Sequence, residues 1–89
     1  MDIEYTIQTW REGRQFVAHA MPLDVMSSGS TPDQARNALV EAVELFLATA
    51  AQTRTLDEVL QEAGYQYTAG GWESPSWVAT ERHFTLVAA

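Results

Sequence analysis

The chain has 89 residues, with 12 acidic and 5 basic side chains and a formal net charge of −7. This length predicts a single domain over residues 1–89 with a small core. The excess of carboxylates and the lack of clustered arginines argue against direct nucleic-acid binding, because neutralising phosphates requires a basic surface. The sequence has no cysteine, which excludes disulfides and thiolate metal sites.

The sequence shows no sign of membrane insertion or secretion. No apolar run approaches the roughly 18 residues that a membrane-spanning helix needs. The first residues, "MDIEYTIQTW", lack the basic region and apolar core of a signal peptide. We therefore expect a cytoplasmic protein that makes no contact with a membrane.

The first 29 residues show the pattern of an antiparallel meander. Apolar and polar residues alternate over 3–10, which predicts a strand, and Gly13 suits the hairpin turn that follows. A second strand is expected over 15–21 and ends at Pro22, which lacks a backbone donor. Residues 23–29 predict a short third strand.

A long helix is predicted to begin after Thr31. Thr31 is expected to be the N-cap, Pro32 suits the first helical position, and Gln34 completes a capping box. The apolar residues then recur with a helical period at positions 35, 38, 39, 42, 46 and 50. Val40 and Leu47 widen this stripe, so we expect a second helix or another chain to cover part of it.

The polar residues over 27–31 also allow a second interpretation, because backbone N–H groups at a helix start can hold an anion. The chain lacks the lysine that follows in a phosphate-binding loop. Capping alone accounts for Thr31, Pro32 and Gln34, and it is the interpretation we favour.

The second half of the chain predicts a shorter helix and a closing strand. Thr55 and Glu58 form another capping-box pattern, and Gly64 suits the end of that helix. A turn is expected at Gly70–Gly71, and the alternation over 77–89 predicts a strand. The order β-β-β-α-α-β favours an α+β fold, an antiparallel meander with helices packed on one face.

Two stretches resemble the HicB family of antitoxins in its short form. They are "FVAHAMPLD", a strand with a Pro-containing exit, and "SSGSTPDQARNALVEAVELFL", with its Ser-x-Gly-x-Thr and Ala-x-Asn patterns. The closing "HFTLVAA" resembles the last strand of short members. The resemblance covers residues 3–50 best, and its specificity lies in the order and spacing of the pieces.

This resemblance implies a partial RNase H-like fold that has lost nuclease activity. It implies an antitoxin of a type II toxin–antitoxin pair, which covers the active site of a HicA-like toxin, a small basic ribonuclease that cleaves mRNA. Charge complementarity would speed that encounter. We expect the partner contacts on the first hairpin and its exit loop, at Trp10, Glu12, His19 and Asp24. The basic DNA-binding segment of longer members is absent after residue 64.

The sequence gives little support for a nuclease or a metal-binding protein. A nuclease would need carboxylates that converge on Mg²⁺, and Glu4, Asp24 and Glu81 form no compact motif. His19 and His83 could pair across a sheet, but no third ligand is spaced nearby. We therefore expect no catalytic residue, cofactor or metal.

The alternative is that this protein is an orphan with the same fold and no toxin, which acts as a homo-oligomeric binding or scaffold protein. Exposed edge strands without lysine residues favour a homodimer or homotetramer in either case. The three tryptophans suit an interface or a small core, since both use large aromatic side chains, and we favour a core position for Trp72 and Trp77.

Overall fold

A computed structural model describes residues 1–88 and shows a small α+β domain. The described part contains a three-stranded antiparallel sheet, two helices and a separate two-stranded hairpin. The elements in chain order are β1 (Thr6–Glu12), β2 (Gln15–Met21), β3 (Val25–Gly29), α1 (Pro32–Gln52), α2 (Leu56–Glu62), β4 (Gln66–Thr68) and β5 (Gly71–Glu73).

The meander predicted for the first 29 residues is confirmed. The strand order is β1-β2-β3, with Trp10 opposite Val17 and His19 opposite Met26. Gly13 has a φ of 61° and closes the first hairpin, a conformation that costs glycine little. The first strand starts at Thr6 rather than at residue 3.

The helix α1 lies across one face of this sheet, mainly over β3 and β2. Ala18, Ala20 and Ala35 are completely buried, and their small side chains let the helix approach the strands closely. Leu39 and Leu60 fill the centre of the core and are also completely buried. The prediction that helices pack on one face of the sheet is therefore confirmed for α1.

The junction between β3 and α1 is tight. A Cβ on Gly29 would lie 2.6 Å from the backbone N of Ala35 and 2.8 Å from the carbonyl carbon of Gln34. Real Cβ atoms do not approach other atoms so closely. Only glycine at this position lets the strand pass directly beneath the first turn of the helix.

Capping at the start of α1 is confirmed with one difference. Thr31 is the N-cap and its hydroxyl accepts a 3.1 Å hydrogen bond from the backbone N–H of Gln34. The Gln34 side chain, predicted to bond back to Thr31, instead accepts from the backbone N–H of Ser30 at 3.2 Å and from the Ser30 hydroxyl. The capping box is thus displaced by one residue.

The capping box predicted for the second helix is wrong. Thr55 is at the N-cap position of α2 but makes no side-chain capping bond. Its hydroxyl instead lies 3.0 Å from the hydroxyl of Thr53, and the two threonines bridge the end of α1 to the start of α2. Gly64, with a φ of 100°, ends the helix as predicted.

The prediction of a closing strand over 77–89 is wrong for the described residues. Residues 74–88 form no helix or strand, and Ala89 lies outside the described residues. The sheet therefore has three strands rather than four. A separate hairpin, β4–β5, forms around the turn predicted at Gly70–Gly71. Alternation shows how a segment can pair, but a strand also requires a partner that provides backbone hydrogen bonds.

None of the helices found within residues 1–88 is long and apolar enough to cross a membrane.

Candidate functional site: the open face of the sheet

The sheet has a second face, directed away from α1, which we call the open face. Alternation along the strands places these side chains on it. They are Gln8, Trp10 and Glu12 on β1, Val17 and His19 on β2, and Met26 on β3. Three of the four residues predicted to contact a partner are in this group, and Asp24 lies beside it in the turn before β3.

Trp10 lies on β1, an edge strand of the sheet, and is 36% exposed. Its indole N–H donates a 3.0 Å hydrogen bond to the carboxylate of Glu12, two residues further along the same strand. Val17, its cross-strand partner, is buried although no helix lies over this face. The indole ring is therefore held at its polar edge while about a third of the residue's surface remains in solvent.

His19 links Trp10 to Asp24. The rings of Trp10 and His19 meet edge to face, with centroids 6.2 Å apart and an interplanar angle of 74°. The Nε2 atom of His19 lies 2.6 Å from Oδ1 of Asp24. The His19 side chain is 17% exposed and that of Asp24 is 80% exposed, so the carboxylate faces solvent while the imidazole supports it from below.

The position of Asp24 depends on an unusual backbone conformation. Its φ is 61°, a left-handed value that aspartate tolerates better than most residues. Its N–H donates a 2.8 Å hydrogen bond to the carbonyl of Ala20, which closes the turn after β2. This turn brings the carboxylate back over His19.

The four predicted residues thus form one continuous row, in the order Glu12, Trp10, His19 and Asp24. The row ends in a carboxylate on each side and has an aromatic centre. Sequence reasoning missed Met26, which is opposite His19 and 53% exposed. Its place in the alternation of β3 could have indicated it. Whether the row contacts a partner stays a prediction.

The other acidic side chains are distributed differently. Half of the 12 acidic residues lie on the two helices and are exposed; they are Asp33, Glu41, Glu44, Asp57, Glu58 and Glu62. The helical side of the domain is therefore a solvated acidic surface. The open face is more apolar, with its two charges at the ends of the row.

The remaining tryptophans divide between core and surface. Trp72 packs against the core and meets Tyr67 edge to face at 5.1 Å between centroids. Trp77 is 51% exposed, and its indole N–H donates a 3.0 Å hydrogen bond to the hydroxyl of Thr6 at the start of β1. Trp77 therefore fixes the chain after β5 to the edge of the main sheet.

A buried tyrosine connects the hairpin side of the domain to the segment before β1. The hydroxyl of Tyr65 donates a 2.5 Å hydrogen bond to the backbone carbonyl of Glu4. Burial raises the pKa of Tyr65, and the charge of Glu4 and the proximity of Tyr5 raise it further. Burial and the charge of Glu44 also raise the pKa of Tyr5.

The carboxylates considered for a nuclease site lie apart. Asp24 bonds His19, Glu81 bonds His83 at 3.3 Å in the exposed C-terminal part, and the backbone of Glu4 bonds Tyr65. Over residues 1–88, no group of three or more His, Asp or Glu side chains is placed to hold a metal ion. In comparisons with known proteins, no family model, no curated protein and no solved structure matches the chain.

Proposed function

We propose that this protein is a cytoplasmic, non-catalytic binding protein that acts as a HicB-like antitoxin and neutralises a HicA-like basic ribonuclease toxin by direct contact. The observation that carries the proposal is the row Glu12–Trp10–His19–Asp24 on the open face. It combines an exposed aromatic centre with carboxylates at its rim. The partial RNase H-like character of the fold is part of the same proposal.

The aromatic centre supplies the affinity in this proposal. Tryptophan is frequent at interface hot spots because one rigid ring gives much contact area at a small cost in entropy. Trp10 is pre-oriented by its hydrogen bond to Glu12 and its contact with His19. Little further ordering is needed when a partner covers it.

The carboxylates supply selectivity for a basic partner. Glu12 and Asp24 mark the two ends of the row, and the chain carries a net charge of −7. A basic protein is drawn towards such a surface, and the association rate falls as salt screens the attraction. An acidic partner is repelled.

The test is a binding titration with a small basic protein that is encoded beside this chain and is toxic when expressed alone. Trp10→Ala is expected to weaken the complex by about 30-fold, the effect of losing about 2 kcal/mol at a hot spot. The control is Leu45→Ala, because Leu45 is 69% exposed and lies on α1, which packs on the opposite face of the sheet. It is expected to leave the affinity unchanged.

A second pair of variants tests the charge. Asp24→Asn keeps the left-handed backbone, which asparagine also tolerates, and removes one carboxylate from the row. Asp57→Asn removes one charge from α2 and is the control. Asp24→Asn is expected to slow association more than Asp57→Asn at low salt. Equal effects of the two aspartate variants, or of Trp10→Ala and Leu45→Ala, contradict the proposal.

The second candidate function is an orphan homo-oligomer, a homodimer or homotetramer without a toxin. The observation that favours it is the exposed apolar segment after Trp77, which includes Phe84 at 96% and Leu86 at 97% exposure. The two functions differ in whether a toxin exists, but homo-oligomerisation itself is compatible with toxin binding, because an oligomer formed through this segment leaves the open face accessible.

A further inference from the structure

Residues 80–88, which we call the exposed segment, are all exposed and form no helix or strand. The only bond described in them joins His83 to Glu81 within the segment itself. Phe84, Leu86 and Val87 are 96%, 97% and 79% exposed. Such continuous apolar exposure is uncommon on a monomeric domain and marks a surface that binds something.

The sequence of the exposed segment is that of a strand. Thr80, Arg82, Phe84 and Leu86 alternate with Glu81, His83, Thr85 and Val87. Aromatic and β-branched residues are frequent, and the segment has no glycine or proline. A segment with this composition lacks only a row of backbone donors and acceptors with which to pair.

The main sheet offers such a row at the edge of β1. This strand pairs with β2 on one side only, and it is the strand over which α1 packs least. It has 7 residues, no proline and no lysine to block pairing. Extended at about 3.3 Å per residue, the exposed segment reaches about 30 Å, which is more than β1 needs.

We infer that the exposed segment of one chain pairs as a fourth strand with the β1 edge of a second copy. Each chain provides both the free segment and the free edge. In a dimer with a twofold axis, the segment of each copy therefore pairs with β1 of the other. Glu81 and Arg82 balance each other in charge, so the segment can approach a copy whose net charge is −7. Trp77, bonded to Thr6, holds the chain that precedes the segment beside the start of β1 in its own domain.

This inference is independent of toxin binding. A strand added at an edge extends the sheet in its own plane and leaves the open face uncovered. Failure of the dimer therefore leaves the proposal for Trp10 unaffected, and failure of toxin binding leaves the dimer unaffected.

The first test is the mass of the protein in solution, measured by sedimentation equilibrium over a range of concentrations. Wild-type protein is expected to be a dimer that dissociates on dilution. Thr85→Pro combined with Leu86→Pro is expected to raise the dissociation constant of the dimer at least about tenfold. Neighbouring residues of a strand point their N–H groups to opposite sides, so one of the two prolines must remove a backbone hydrogen bond between the copies.

The matched control is Thr85→Val combined with Leu86→Val, which keeps both backbone donors and the strand propensity. It is expected to dimerise as the wild type does. Far-UV circular dichroism is expected to be the same for all three proteins at low concentration, because residues 85 and 86 contact nothing else in the domain. A monomeric wild type, or a dimer unaffected by the prolines, overturns the inference.

A second test identifies the edge. Because the chain has no cysteine, Gln8→Cys and Thr85→Cys can be made singly and mixed with a flexible thiol cross-linker. A covalent dimer containing one chain of each kind is expected. In a chain that carries both cysteines, exclusive cross-linking within one chain overturns the inference in favour of pairing with its own sheet.

Discussion

At the residue scale, the hydrogen bond of the buried Tyr65 links the ionisation of one side chain to the stability of the fold. Its hydroxyl group donates to the carbonyl of Glu4, which is distant in sequence, and so joins the segment before β1 to the connection between α2 and β4. Because burial disfavours the phenolate, the pKa of Tyr65 is raised in the folded state. The bond therefore depends on pH.

The first prediction concerns this pH dependence. A raised folded-state pKa means that the folded protein holds the proton more tightly than the unfolded chain does. Tyr65 should therefore contribute its full stability below the unfolded pKa of about 10 and lose it as the pH rises through the higher folded value. Urea unfolding of the wild type is expected to show a falling midpoint above about pH 10.

Tyr65→Phe is expected to lower stability at neutral pH by about 1 kcal/mol, the value of one hydrogen bond, and to show a smaller fall at high pH. Some fall should remain, because the pKa of Tyr5 is raised as well. Tyr67→Phe, at a residue that is 73% exposed, is the control and should follow the wild type. Parallel curves for Tyr65→Phe and the wild type would show that Tyr65 is not the titrating group.

At the scale of elements, the contact between β3 and α1 determines how the helix sits on the sheet. Gly29 passes so close to the backbone of Gln34 and Ala35 that no side chain fits. The cap at Thr31 then fixes the first turn of the helix directly above. The close approach and the cap together define the entry of the longest helix.

The second prediction is that Gly29→Ala destabilises the domain by about 2 kcal/mol or more, because backbone atoms must move to admit the methyl group. The control is Gly70→Ala, where the nearest atom to a new Cβ is the Thr68 hydroxyl at 4.0 Å. Its expected effect is within about 0.5 kcal/mol. Urea unfolding measures both, and an equal effect of the two substitutions would refute the tight junction.

The elements that the sequence predicted well are those determined locally. Gly13, Pro22 and Thr31 place the turns and the helix start, because turn and cap chemistry acts within a few residues. The strand over 77–89 failed since pairing depends on a distant partner, which alternation does not reveal. Val43 is buried in α1 although the predicted stripe omits it, because the core that α1 joins also includes α2 and the segment before β1.

The candidate site shows the same division. That Trp10 and Glu12 share a face follows from the period of a strand. The bond between His19 and Asp24 depends on the left-handed turn at Asp24, for which no periodic signal exists. The sequence therefore indicated which residues matter on this hairpin, but only the structure shows that they form one row.

At the scale of the whole molecule, the domain is elongated, with principal extents of 48 × 29 × 23 Å. Its radius of gyration is 15.5 Å, against about 12 Å for a compact chain of this length. The exposed segment lies outside the packed domain and contributes to this shape. The molecule thus combines a packed domain with a strand that lacks a partner.

The third prediction follows from this arrangement. Truncation after Ala79 is expected to leave the free energy of unfolding of the monomer unchanged within about 0.5 kcal/mol, because residues 80–88 bury no apolar surface in their own domain. Truncation after Glu73 is the contrasting variant, since it also removes Trp77 and its bond to Thr6. It is expected to be less stable. The prediction is wrong if urea unfolding at low concentration shows that both truncations cost the same.

The exposed segment also affects how long the protein survives. Endoproteases bind their substrates as extended chains, and exposed, unpacked segments are cut first. The arginine at position 82 offers a cleavage site to a trypsin-like protease in this segment. Pairing with a second copy would shield that bond, so that dilute protein is trimmed quickly and concentrated protein is spared. Turnover would then report how much of the protein is present.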